Sequence, residues 1–331
     1  MSAKDKLQII LITYNRERHL SETLSTLFSD ASPVKYFDIT ILDNHSTDGT
    51  RALVEKHQST HPNLKYICHN RNIGGNANIA RAFEIATREY LWVICDDDDY
   101  DWTAWNGVEN AIEENHKVIC VADFNIPSDK RKDTSYLIHQ MTFLPSIIIN
   151  TALLTAEALR NIYDNTIFMF PHLAPIIMHI NRGGDIFLAP RPLVHFGKCR
   201  AYSSFIRGYT ESAIFNRART MSMIIGFLNV TSNLNNPKLA RQCFNVIVFG
   251  NHCDRVGLYR FLCDIFLHLN GRKNDMHITD LIMQAPFFLG VCIKVTHMLS
   301  GTFLHSLLSK SLIYRMLRNL YDKCAKRHRS M

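Results

Sequence analysis

Four consecutive carboxylates, Asp96, Asp97, Asp98 and Asp99, close an apolar run that extends from Tyr90 to Cys95. Adjacent anions at the end of a buried strand cannot all be buried unpaired, so the expectation is that they stand at a sheet edge and attract a cation. Hard oxygen ligands select Mg²⁺ or Mn²⁺, and an ion held by only one or two carboxylates keeps positions open for phosphate oxygens. The competing reading is a solvated acidic turn, made favourable by the dipole of a following helix over 102–115.

The same arrangement recurs upstream. Leu7–Ile12 runs into Thr13-Tyr14-Asn15-Arg16, Phe37–Leu42 into Asp43-Asn44-His45-Ser46-Thr47-Asp48-Gly49-Thr50, and Leu64–Cys68 into Asn70-Arg71-Asn72-Ile73-Gly74-Gly75-Asn76. Helical spacing over 17–29, 48–58 and 76–88 separates these runs. The order β-α-β-α-β-α-β predicts an α/β domain on a mostly parallel sheet. Ligands of such sheets bind outside the carboxyl ends of the strands, where every polar cluster falls, and a nucleotide suits the residue types. Asp43 offers acceptors to a base or ribose, and Thr13 and Asn15 can contact the base or its sugar. Gly74 and Gly75 allow unusual backbone geometry and close approach. Arg71 and Arg81 offer forked donors to phosphate. Taken singly, 44–49 also reads as a turn with a Thr47 or Asp48 cap, and Gly74-Gly75 as a plain loop.

In sequence, Thr13-Tyr14-Asn15-Arg16, Asp43-Asn44-x-Ser46-x-Asp48-Gly49-Thr50, Asn72-x-Gly74-Gly75-x-x-Asn78 and Asp96–Asp99 resemble the nucleotide-sugar domain of family 2 glycosyltransferases with the GT-A fold. The resemblance is close over about the first 125 residues and looser to about residue 200. It implies transfer of a sugar from a nucleoside diphosphate, most often a UDP-sugar, with Thr13, Tyr14, Asn15, Arg16, Asn72, Gly74 and Arg81 around the donor. By the same resemblance Asp43 binds uracil or its ribose, Asp96 lies near the ribose beside Asp97, and Asp98 holds the metal. The alternative register Asp97–Asp99 fits the spacing equally.

In such a transfer an acceptor hydroxyl attacks the anomeric carbon while the diphosphate leaves, and an inverting enzyme supplies a base on the opposite face. The resemblance implies a Glu-Asp pair at a helix start in the second half, and this chain departs from it. Phe170-Pro171-His172-Leu173-Ala174 stands there, which makes His172 the expected base, with Asp123, Asp164 and Glu157 as rivals. His195, after a further strand, is an expected additional metal ligand and otherwise a rim or core residue.

The chain of 331 residues, 47% of them hydrophobic, can bury a large core and carry a helical appendage. The expected division is a catalytic domain over 1–200 and a helical region over 201–331. Nine cysteines without a C-x-x-C pair point to reduced, buried thiols, and no signal peptide is read at the start. Helical spacing over 212–230, 237–254, 258–270, 276–298 and 302–325 marks the second half. Net charge is +7, and Lys310–Met331 holds seven basic residues against the single acid Asp322. With Leu312, Ile313, Met316, Leu317, Leu320 and Tyr321 this tail forms a basic amphipathic helix suited to anionic lipid, while Leu281–Leu308 is too interrupted for a span. A helix packed on its own protein is the other reading of the tail. No base-stacking aromatic array accompanies it, which argues against nucleic acid.

These features lead to the expectation of a metal-dependent (Mn²⁺ or Mg²⁺), inverting hexosyltransferase. It would act at the inner face of the cytoplasmic membrane on a lipid-linked saccharide, as in O-antigen, capsule or lipopolysaccharide assembly. The alternatives are a nucleotidyltransferase, although Thr13–Arg16 lacks a glycine-rich, lysine-bearing loop, or an inactive nucleotide-sugar-binding module.

Overall fold

The computed structural model describes residues 2–123, 126–167, 169–196 and 226–249. Those up to 196, with 233–235, belong to one compact unit; 226–232 and 236–249 belong to a second. Each unit is described by itself.

One helical turn, α1 (Ala3–Lys6), precedes β1 (Leu7–Thr13). Next come α2 (Glu17–Leu27), β2 (Asp38–Asp43), α3 (Thr50–Gln58), β3 (Leu64–Cys68), α4 (Gly75–Glu84) and β4 (Tyr90–Cys95). The near-continuous apolar runs of β1 and β4 are those of strands covered on both faces, and both are buried almost throughout. Parallel pairing sets Ile10 opposite Thr40 on one side and Val93 on the other. Helix α2 buries Leu20, Thr23, Leu24 and Leu27, a stripe at the spacing a helix needs to lie on a sheet. The buried amide of Gln8 is satisfied, its Oε1 accepting from Thr87 N at 2.9 Å.

The main sheet has seven strands in the order β3-β2-β1-β4-β7-β6-β8, with β6 (Val118–Cys120), β7 (Ile147–Asn150) and β8 (Phe187–Leu188). Strand β7 runs antiparallel to both β4 and β6. The chain directions therefore bring the carboxyl ends of β1, β2, β3, β4 and β6 to one edge, and the polar clusters of the sequence gather there.

A second, two-stranded sheet was not expected: β5 (Asp98–Tyr100) pairs antiparallel with β9 (Val194–Phe196). It corrects the picture of an acidic cluster displayed at an edge, since Asp96 and Asp98 are buried while Asp97 and Asp99 are half-buried. The following helix is a 3-10 turn over Trp102–Ala104 and then α5 (Trp105–Glu113). Its start is capped by Asp101, whose side chain accepts from Thr103 N, so the Asp96–Asp99 run is not its cap. Helices α6 (Thr134–Gln140), α7 (Ala156–Asp164) and α8 (Ala174–Asn181) complete the first unit.

In the second unit residues 226–231 are helical and α9 spans Pro237–Phe249, matching parts of two expected helices and the break between them. The boundary expected near 200, the later helices and the basic tail lie outside the described residues. Among the described residues no helix is long and apolar enough to cross a membrane.

Candidate active site

Thr13, the last residue of β1, donates its hydroxyl to Asp96 Oδ2 at 2.7 Å. The other oxygen of Asp96 faces Arg16 Nε at 3.2 Å, and Arg16 Nη2 reaches Asp97 Oδ2 at 2.6 Å. Thr23 of α2 donates to the Asp96 carbonyl at 2.9 Å. These bonds knit the end of β4 to the β1 loop and make Arg16 the protein's own counter-ion for the acidic run. Burial opposes the Arg16 charge, but Asp96 and Asp97 outweigh it and hold its pKa up. Burial also pushes Asp96 up to about 6 against the pull of Arg16 and Thr13.

Asp98 lacks such partners. It is 5% exposed, and its Oδ2 is buried with no hydrogen bond. Burial, then Asp97 and Asp96, raise its pKa well above the usual carboxylate range. The ring of Tyr100 stacks on Trp102 and meets Trp92 edge-on, so an apolar wall backs the carboxylate. A buried acidic oxygen without a donor is costly unless a cation completes it. Ligand atoms of Cys95, Asp97 and Asp98 lie within 4.8 Å of one another, which fits a divalent ion. The grouped ligand atoms are those of the adjacent Asp97 and Asp98 with Cys95, a set that coincides with neither register read from sequence, while Asp96 serves Thr13 and Arg16.

His195 is not brought to that group. In the β5–β9 ladder Asp99 pairs with His195 and Asp98 with Phe196. Side chains alternate faces along a strand, so His195 shares the face of Asp99 and lies opposite to that of Asp98. His195 therefore stands outside the Cys95–Asp97–Asp98 group, on the Asp99 side of the ladder.

On the nucleotide side, Asp43 is fully buried and saturated. Its Oδ1 accepts from Ser46 N at 2.9 Å and Ser46 Oγ at 2.6 Å, and its Oδ2 from the Tyr66 hydroxyl at 2.6 Å. It organises the strand-end loops from within. Ser46 Oγ in turn accepts from Asn15 N at 2.8 Å, and Asn15 Oδ1 accepts from Thr47 N at 2.7 Å. Asn72 Oδ1 accepts from Asn44 Nδ2 at 3.0 Å and from Gly74 N at 2.8 Å. Asp48 takes the turn role weighed for it, accepting from Thr50 N and also from Glu17 N, which ties the starts of α3 and α2. Gly74 has φ +88 and no atom within 4 Å of where a Cβ would stand, so backbone conformation and not crowding requires glycine there. Tyr14 is 42% exposed at the same edge. Arg81 is held by Glu84 at 2.7 Å, and Glu84 also accepts the Tyr163 hydroxyl.

His172, expected as the base, is buried, 2% exposed, at the Pro171–Leu173 turn. Its Nε2 lies 2.9 Å from the Met141 carbonyl, which can only accept, so Nε2 carries the proton; Nδ1 is buried without a partner. An imidazole sealed in this way cannot meet an acceptor hydroxyl, and the base assignment is corrected to a packing role. Of its rivals, Asp123 follows β6 at the ligand-bearing edge and pairs with Arg131. Glu157 is exposed and pairs with Arg182 at 3.2 Å, and Asp164 ends α7.

Burial lowers the His172 pKa to about 4 from 6.5. The unfolded chain therefore binds more protons between those values, and the stability tied to neutral His172 is full above 6.5 and lost as pH falls towards about 4. The loss should reach about 3 kcal/mol. Denaturant midpoints of wild type and His172→Gln, compared from neutral to acid pH, should diverge in slope, with the variant flatter; parallel curves would contradict the buried neutral imidazole.

Residues 8–221, nearly two thirds of the chain, match the family described as Glycosyl transferase family 2. The protein belongs to that family and is a glycosyltransferase with the GT-A fold. Among curated proteins, the poly(ribitol-phosphate) beta-N-acetylglucosaminyltransferase TarS of Staphylococcus aureus is 28% identical over 153 residues, 44% of this chain and 26% of that one. Abequosyltransferase RfbV of Salmonella typhimurium is 29% identical over 87 residues, 26% of each chain. The chain thus matches about a quarter of the length of these relatives. The crystal structure of Staphylococcus aureus TarS 1-349 in complex with UDP-GlcNAc superposes with a TM-score of 0.57 at 17% identity over 88% of each chain, a likeness of fold.

Proposed function

We propose that this glycosyltransferase moves a hexose, glucose or galactose, from a UDP-sugar to a lipid-linked saccharide, with inversion, in building a surface glycan. The buried, partnerless oxygen of Asp98 beside Asp97 carries the reading, because in its ionised form it suits a cation at the edge where a diphosphate would lie. Asp98 and Asp97 would hold Mn²⁺ or Mg²⁺. Such an ion, when bound, neutralises charge on a departing diphosphate.

The chain's own groups supply the rest. Arg16 stands beside Asp97 as a second cation for phosphate. Asn15, Ser46, Asn72 and Gly74 shape the nucleotide loops, with Tyr14 exposed beside them. Asp123, two strands from β4 at the same edge, is the acceptor-side base. The uridine donor is supported by the UDP-GlcNAc bound to the similar TarS domain, and a polymeric acceptor by the poly(ribitol-phosphate) in the name of TarS. The sequence of Lys310–Met331, basic with apolar residues at helical spacing, supports work on the inner surface of the cytoplasmic membrane.

The test is incubation of the protein with labelled UDP-sugars, Mn²⁺ and lipid-linked saccharides in anionic vesicles. Metal-dependent label in the lipid fraction is expected. Turnover that ignores EDTA, or that requires a different nucleotide, contradicts the reading.

A further inference from the structure

Cys95 is the last residue of β4 and the immediate neighbour of the acidic run. It is half-buried and free. Its Sγ belongs to the one group among the described residues in which three potential metal-ligand atoms approach within 4.8 Å. Ligands on opposite sides of a divalent ion lie roughly 4–4.6 Å apart and adjacent ones lie closer, so three atoms grouped within 4.8 Å can share one ion once the side chains draw in around it. Independently, Asp98 is 5% exposed and its Oδ2 has no hydrogen-bond partner. Arg16 pairs directly with Asp96 and Asp97, so its guanidinium is bonded to neither Asp98 nor Cys95.

We infer that Cys95 contributes a sulfur ligand to the cation held by Asp97 and Asp98 and thereby biases the site towards thiophilic ions. The inference rests on the proposed metal-dependent donor site. It adds a preference that carboxylates alone would not give: sulfur is a soft ligand, poor for Mg²⁺ and good for Co²⁺, Zn²⁺ and Cd²⁺. Mn²⁺, softer than Mg²⁺, should therefore bind more tightly here, and replacement of sulfur by oxygen should narrow that gap.

The test uses the full chain with Co²⁺ and Cd²⁺ as spectroscopic probes. Wild type should show a sulfur-to-metal charge-transfer band that saturates at one ion per chain, and the band should vanish in both Cys95→Ser and Asp98→Asn, which links the thiol to this site and not to another cysteine. In Cys95→Ser, Cd²⁺ affinity should fall by roughly 10–100-fold while Mg²⁺ affinity is unchanged or improved. Ion binding that requires Asp98 but gives an oxygen-only spectrum, unchanged by Cys95→Ser, would overturn the sulfur ligand and leave the metal site standing. No Asp98-dependent binding of any ion would overturn both.

Discussion

Asp98→Asn should abolish sugar transfer without weakening the fold. The variant keeps the shape of the side chain but loses the negative oxygen that has no donor in the protein. A cation at the diphosphate is worth several kcal/mol of transition-state stabilisation, so turnover should fall by roughly 10³-fold or more. Stability should move the other way or not at all. Burial and the carboxylates of Asp97, Asp96 and Asp99 already oppose ionisation of Asp98, and a neutral amide relieves that conflict in the metal-free protein. Turnover by Asp98→Asn and its unfolding midpoint without metal check both halves. Retained activity would remove the metal role, and a large loss of stability would mean that Asp98 serves the fold.

Asp43→Ala should do the reverse, collapsing stability and donor binding together. It strands the Ser46 backbone N–H and the Tyr66 hydroxyl, both now bonded to one fully buried carboxylate. A fully buried donor left unmade costs about 1–3 kcal/mol, and these half-buried ones regain part of that from water, so the two together cost about 2–3 kcal/mol. The midpoint of heat unfolding should fall by on the order of 10 °C. Asn15 and Thr47 hang on Ser46, so the nucleotide loops lose their anchor at the same time. Asp43→Asn separates this from direct contact: a variant that keeps its stability and loses UDP would mean that Asp43 touches the nucleotide.

The first four strands and their helices were legible because parallel strands advertise themselves as apolar runs ending in polar residues, and because α2 repeats its apolar stripe cleanly. The strand β5 was not, since Asp98-Asp99-Tyr100 has no strand signature; its pairing with Val194–Phe196, nearly a hundred residues on, creates it. The same long-range pairing decided His195, whose face depends on register and not on its neighbours in sequence. His172 misled because position beside proline at a helix start says nothing of burial, which the Met141 carbonyl and surrounding core impose. Asp43 drew attention correctly as a strand-end acid, but its saturation by Ser46 and Tyr66 depends on residues from two segments. Cys95 read as an ordinary buried thiol; its place next to Asp96 was the available signal, and the turn of the chain into β5 gave it meaning.

A UDP-sugar is proposed to bind here through a cation held by Asp98. The direct measure of this binding is calorimetric titration of the purified protein with UDP, with Mn²⁺ present and with EDTA, repeated on Asp98→Asn. Tight binding to wild type only with Mn²⁺, and weak binding to the variant under both conditions, is expected. Equal UDP affinity in all four titrations would contradict it.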